Sequence, residues 1–428
     1  MKTIIKSIIG RRIWDSRGRP TIEVDVELSG GRRGRGIAPS GASRGSNEAI
    51  DLRDGGSLLG GYGVQDALSN VNDLIAPALV GMNAEDQEGV DAALIELDGT
   101  PNKSRLGGNA TIATSMAVLS AAAGAAGRPL WRYLAGDQSV RMPLPEIQIF
   151  GGGAHAGRRT DIQDFLIMPL GAQSFDEALF MAAEVYRAAG DLMASLGRRS
   201  GVADEGGWWP NFTSNEEALQ VLARSIERAG YRHDQVAISL DIAASEFGRN
   251  GLYKPALDDC EYDTSAWIDV VLGWLKRYPI VSVEDPVAED DPEGMRIFTE
   301  AVGDSVQVIG DDFLVTAAER VSAAAAAGQC NAVLVKPNQA GTITETQRTL
   351  RVAKELGWGT IVSARSGESE DATITHLAVG WDAGQLKVGS FARSERMAKW
   401  NEGLRIEETI GASARFAGWS ALPVRSLT

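Results

Sequence analysis

Cysteine and histidine are scarce in this chain: Cys260 and Cys330 are its only cysteines, and 428 residues hold three histidines. Two cysteines make no disulfide framework, and a reduced, cytoplasmic setting is the simplest reading. So few histidines, with no CxxC pair, argue against a zinc site. Positive charge is not in excess either. Lys and Arg total 42 against 57 Asp and Glu, a formal charge of −15. Nucleic acid is therefore not expected as a partner, since phosphate binding needs a basic surface. No apolar run approaches the roughly 20 residues of a membrane span. The opening MKTIIKSIIGRR is too short and interrupted for a signal h-region. What remains is an ordinary globular composition, 44% hydrophobic, long enough for one large barrel and a smaller domain.

The second half carries the strongest pattern. Six strand-like runs end in or carry a charged or polar residue. AISLD ends at Asp241 and IVSVED at Glu284 and Asp285. VQVIGDD ends at Asp311 and Asp312, AVLVK at Lys336, and TIVSARS at Arg365 and Ser366; LKVGS carries Lys387. Helix-like stretches separate them at the length of a βα repeat. A buried parallel strand should be apolar throughout, so charge at its C-terminal end fits the rim where a (β/α)8 barrel builds its active site.

The first half reads differently. TIEVDVELSG alternates, with Ile22, Val24, Val26 and Leu28 on one side, as a half-buried antiparallel strand does. GGRRGRG after it reads as a hairpin turn, PSGASRGS (39–46) as a mobile loop, and Asp66 to Leu134 as largely helical. Prolines 143 and 145 mark a boundary, dividing the chain into 1–138 and 139–428. Ser214, three residues before Glu217, predicts a capping-box helix start.

Asp241, Glu284 and Asp311 end successive predicted strands, and carboxylate oxygens around one point suit Mg²⁺. Solvated caps are the structural alternative for a single such acid. Lys336 leaves a buried strand beside them, where dehydration lowers a lysine's pKa and makes it a base. Arg365 and Ser366 suit an oxyanion. Glu205, in DEGG, is a candidate general acid over the barrel mouth. His155 and Asp164 are further catalytic candidates, with Gln163 beside them as a substrate contact.

Taken together, DSRGRPTIEVDV, PSGAS, NEAIDLRDG, GGAHAG, DEGG, SLDIAASEF, VSVEDPVAEDD, VKPNQAGTITET, RSGESED and ARSER resemble the enolase family in order over some 400 residues. The resemblance implies an α+β N-terminal domain capping a modified α/β barrel. It also implies a homodimer or larger assembly and two Mg²⁺ ions, the second bound with substrate. By matching motif, Asp241, Glu284 and Asp311 hold the first ion and Ser43 helps hold the second. Lys336 removes the proton alpha to a carboxylate, Glu205 assists loss of the hydroxyl, Lys387 binds the substrate carboxylate, and Arg365 with Ser366 bind phosphate.

The chain departs from the family pattern around the substrate. Ala364 stands where the family has histidine, Arg44 for threonine and Asp164 for glutamate. Gln148 and Gly151 replace an Asn-x-x-Asn pair, and Trp208 and Trp209 follow DEGG. The metal ligands and Lys336 match. These changes lead to the expectation of a specialised paralogue such as the carboxyphosphonoenolpyruvate synthase branch. Its ligand would be a phosphorylated or phosphonylated anion with a nucleotide-activated co-substrate. Arg44, Arg158 and Arg159 would add positive charge at the mouth, and Trp208 or Trp209 would stack on a base. A glycolytic enolase, and a weakly catalytic interaction protein of the same fold, are the alternatives.

Overall fold

The alternating segment forms the middle of a small sheet. In the computed structural model, which describes residues 2–42 and 45–424, strands β1 (Ile5–Trp14), β2 (Pro20–Leu28) and β3 (Arg33–Ile37) pair antiparallel in that order. Ile22, Val24, Val26 and Leu28 are fully buried. They face the helix Gly108–Ala125, whose Ala-rich run packs on β2 and β3. The predicted hairpin turn needs correction, because its RGRG portion is strand β3 itself. The reason is close approach rather than turning. A Cβ at Gly34 would lie 2.2 Å from Ala121 N, and one at Gly36 would lie 2.4 Å from Ala113 O. The predicted helical stretch is broken into Gln65–Ser69, Ala76–Leu79, Gln87–Asp98, Gly108–Ala125 and Leu130–Ala135, with a π-helical turn at Asn70–Ile75.

The remainder is a closed eight-stranded barrel. Its first three strands in the chain are β4 (Leu144–Gly151), β5 (Asp164–Met168) and β6 (Ala237–Asp241). A minor three-stranded sheet follows: β7 (Gly248–Arg249), β8 (Leu252–Tyr253) and β9 (Tyr262–Asp263). The barrel then continues with β10 (Ile280–Glu284), β11 (Gln307–Gly310), β12 (Ala332–Val335), β13 (Gly359–Ser363) and β14 (Gly384–Ser390). Around the barrel the order is β10-β11-β12-β13-β14-β4-β5-β6. Neighbours are parallel except that β5 runs antiparallel to both β4 and β6. No long helix joins β4 to β5, and without a crossover the chain can only turn back on itself. The start of β5, Asp164, therefore lies at the rim where the other strands end, in register with Gly151 and Asp241. Pro145, read as a breaker, sits inside β4.

The predicted helix start at Ser214 is present. Ser214 Oγ accepts from Glu217 N at 3.0 Å, and the Glu217 carboxylate reaches back to Thr213 N at 2.6 Å, one residue before the usual partner. Among the described residues no helix is long and apolar enough to cross a membrane.

Candidate active site

The strand termini bring the predicted groups to one end of the barrel. Asp241 and Glu284 close β6 and β10. Asp311, Lys336 and Arg365 follow directly or closely after β11, β12 and β13. All are buried. Lys387 is the exception to the strand-end pattern, since it lies in the middle of β14. Its side chain nevertheless reaches the cluster. Nζ lies 2.8 Å from Asp241 Oδ2, 2.7 Å from Glu284 Oε2 and 3.8 Å from Asp164 Oδ2. Lys336 Nζ is ion-paired to Asp311 Oδ2, whose other oxygen accepts from Gln339 Nε2 at 2.8 Å. Gln163, expected to touch substrate, donates to Asp241 Oδ2 at 3.0 Å.

These contacts set the charges. Burial opposes ionisation of Lys387, but Asp241 and Glu284 outweigh it and its pKa is far above the ordinary lysine value. The lowered pKa expected for Lys336 is reversed: burial opposes its charge, but Asp311 outweighs burial, so Lys336 holds its proton more tightly than usual. Glu284 is pushed well up by burial and by Asp241. Asp241 is held low, because Lys387 overcomes its burial. Asp285 directly follows the end of β10. It sits at φ +41° and accepts the backbone N–H groups of Asp311 (3.0 Å) and Asp312 (2.8 Å), which orients the Asp311 turn.

The donor set fits a hard divalent cation. The cluster offers carboxylate oxygens and no sulfur ligand, and Glu284 Oε1 is buried with no hydrogen-bond partner. An acceptor left unsatisfied in a low-dielectric interior is costly unless a cation or proton meets it.

A second group faces the same cavity. One ligand atom each from His155, Asp164 and Glu205 lies within 4.8 Å of the others. His155 Nε2 is 3.9 Å from Asp164 Oδ2 and 3.8 Å from Glu205 Oε1. Burial raises the Asp164 carboxyl to about 7. Glu205 is equally enclosed, but His155, Arg396 and Lys387 overcome that burial and hold it below the ordinary range. One carboxyl thus favours its proton near neutrality and its neighbour does not, the split that divides acid from base roles. The Glu205 loop is pinned by Ser390 N, which donates to Glu205 O at 2.9 Å. Gly206 has φ +93°, and a Cβ there would come within 2.5 Å of Ala392 O, so the first glycine of DEGG is required.

Arg365 occupies the third side. Its Nη1 donates to Glu48 Oε2 at 2.9 Å and to Asn338 Oδ1 at 3.1 Å; its Nη2 lies 3.3 Å from Glu48 Oε1. Arg396, fully buried, donates to the carbonyls of Arg365, Val388 and Ser366 and fixes this turn. Arg396, in ARSER, and Glu48, in NEAIDLRDG, gain a role only through these spatial neighbours. Ser366 Oγ accepts from Ala42 N at 3.3 Å. Ala364 is buried beside Arg365 and lines the cavity. Ser43 and Arg44 lie outside the described residues.

Four further residues read as ligand-side candidates lie outside the cavity lining. Arg158 is exposed and paired to Glu246 at 2.8 Å, and Arg159 donates to Asn211 Oδ1 at 3.0 Å. Neither lines the cavity, because local surface partners take both guanidinium groups. Trp208 is stacked on Tyr186 at 4.7 Å, with its Nε1 donating to Tyr186 O. Its ring face is used in packing and is not offered to a base. Trp209 is half-buried beside Gly157, also outside the cavity lining.

Comparison with known proteins gives two family matches. The description "Enolase, N-terminal domain" covers residues 5–134, and "Enolase, C-terminal TIM barrel domain" covers 139–424. A similar protein is "Enolase 1" of Desulfitobacterium hafniense (strain Y51). It is 49% identical over 416 residues, spanning 96% of this chain and 95% of that protein.

Proposed function

The chain belongs to the enolase family, and we propose that it is a magnesium-dependent phosphopyruvate hydratase. It removes water from 2-phosphoglycerate and leaves phosphoenolpyruvate. The observation that carries this is the single cavity lined by Lys336, Asp164, Glu205, Lys387 and Arg365. That cavity supplies a base, an acid pair and two cationic anchors for an anion with a carboxylate and a phosphate. The near-full-length likeness to an enolase favours this reading over the specialised synthase anticipated from the substrate-side departures.

Lys336 takes the proton alpha to the substrate carboxylate. To do so it must first shed its own proton, which Asp311 now stabilises. Asp241, Glu284 and Asp311 would hold Mg²⁺, and Ser43 would help hold a second ion, as the family resemblance implies. When bound, the metal would supply Lewis-acid stabilisation of charge developing on the substrate carboxylate. Lys387, held by Asp241 and Glu284, orients the carboxylate. On the acid side the two carboxyls act as a pair: Glu205 assists loss of the hydroxyl, and Asp164, the carboxyl that burial raises, carries the proton with which it leaves as water. Glu205 and His155 hold that carboxyl in line. Arg365 and Ser366 bind the phosphate, and Glu48 shares the guanidinium with it. A homodimer in the cytoplasm is the expected form.

Ala364 favours a second reading, in which the chain is an enolase-derived synthase. A small apolar side chain beside Arg365 leaves room for a larger or differently charged group there. One assay separates the two. Purified protein with Mg²⁺ and 2-phosphoglycerate is followed at the absorbance of phosphoenolpyruvate. Turnover of the order of 10 per second or more supports the hydratase. Negligible turnover, with reaction appearing only when a nucleotide-activated phosphonoformate is added, supports the synthase and sinks the hydratase.

A further inference from the structure

We propose that Gln148 is the positioning residue of the acid side: it selects which oxygen of Asp164 faces the cavity and ties that carboxyl to the loop bearing Glu205. The role rests on the hydratase reading of Asp164.

Gln148 is fully buried in β4. Its Nε2 donates to Asp164 Oδ1, and its Oε1 accepts from Gly207 N at 2.9 Å. The two ends of an amide are chemically distinct. A carboxylate oxygen needs the NH₂ and a backbone N–H needs the C=O, so only one orientation satisfies both. With Oδ1 occupied, Oδ2 is the oxygen left toward the cavity, 3.9 Å from His155 Nε2 and 3.8 Å from Lys387 Nζ. Oδ2 is therefore the oxygen that the bridge leaves facing His155 and Lys387.

The slot is built for this side chain. A Cβ at Gly207 would come within 2.4 Å of Gln148 Oε1, and one at Gly151 within 3.1 Å. Both glycines leave the room that the amide fills. Gly207 O in turn accepts from Ala203 N at 2.8 Å, which closes the turn around Glu205. Glu205 is thus anchored twice, to β14 through Ser390 and to β4 through Gln148. Asp164, a carboxyl on a short stem, is met by an amide on a longer one.

The test separates the two halves of the reaction. In D₂O, exchange of the substrate alpha proton reports Lys336, and phosphoenolpyruvate formation reports the acid side as well. Gln148→Met removes both bonds at similar length. Gln148→Glu keeps an acceptor for Gly207 N–H and replaces the amide donor to Asp164 by a carboxyl, which when ionised has no donor. Both are expected to keep alpha-proton exchange and KM within about three-fold, while kcat for dehydration falls about 100-fold, within the range general acid catalysis supplies. Gln148→Asn combined with Asp164→Glu, which moves the bridge by one methylene, should recover part of the loss of Gln148→Asn alone. Exchange and dehydration falling together, or neither falling, would overturn the proposal. If the wild-type chain neither exchanges nor dehydrates 2-phosphoglycerate, the hydratase reading fails instead. Crystal structures of wild type and Gln148→Met then decide the role of Gln148. An unmoved Asp164 and Glu205 loop overturns it, and a rotated Asp164 carboxyl supports it.

Discussion

Replacing Glu146 by glutamine should stabilise this protein at alkaline pH and do little at acid pH. Glu146 is fully buried inside the barrel on β4, in register with Lys387. Its Oε2 accepts only from Ser239 Oγ, at 3.2 Å, and its Oε1 has no partner. Burial is the dominant effect, and although Lys387 pulls the other way, the carboxyl rises from 4.5 to about 7. The sign follows from proton linkage. Below 4.5 the group is protonated folded and unfolded, and costs nothing. As pH rises from 4.5 toward 7, the unfolded chain releases a proton that the native state keeps, and stability falls. Above 7 the full cost is present, on the order of 3 kcal/mol at about 1.36 kcal/mol per pH unit. At pH 5 it is under about 1 kcal/mol by the same relation. Glu146→Gln preserves shape and the Ser239 contact while removing the charge. Unfolding entropy for a barrel of this size is roughly 0.6 kcal/mol/K, so the melting midpoint should rise by about 5 °C at pH 8. Thermal melts by circular dichroism in chelator at pH 5 and pH 8 provide the measurement. A gain equal at both pH values would show that ionisation is not the cause. No gain at pH 8 would show that Lys387 fully neutralises the buried carboxylate.

Lys336→Ala should abolish alpha-proton exchange and product formation while Mg²⁺ binding by calorimetry stays largely intact; near-normal turnover would remove Lys336 as the base. Lys387→Met strips the cation from between Asp241 and Glu284, and loss of one partner from a buried cluster costs about 3–5 kcal/mol. That loss should be largest in chelator and shrink as Mg²⁺ is added, and an unchanged melting point in chelator would refute it. Ala364→His should raise turnover of 2-phosphoglycerate if this position limits substrate fit; an unchanged kcat/KM would show that it does not.

Much of the chemistry was legible before any fold was known. Asp241, Glu284, Asp311 and Lys336 stood out because a buried parallel strand tolerates charge only where it emerges. The helix start at Ser214 was legible because capping is local in sequence. Sequence could not place whatever depends on distant neighbours. Lys387 lies in mid-strand rather than at an end, and reaches the rim only because Asp241 and Glu284 face it across the barrel. Glu48 and Arg396 carry no distinguishing local pattern. Glu48 is a loop acid and Arg396 a helix-start arginine until Arg365 is set between them. Arg158, Arg159 and Trp208 looked suited to a ligand, yet Glu246, Asn211 and Tyr186 already hold them.

From the chain alone come the family, the barrel with its smaller partner domain, and the inventory of carboxylates, lysines and arginine that meet at the rim. These follow from order and periodicity along the chain. Tertiary structure alone decided which groups share charge. It turned β5 antiparallel, so that Asp164 begins its strand at the rim where the others end. It enclosed Asp164 and Glu205 together and pushed their proton affinities apart. It also set the amide of Gln148 between Asp164 and Gly207 of the turn that carries Glu205. Electrostatic coupling falls with distance in space, and separations of tens or hundreds of residues along the chain give no measure of that distance.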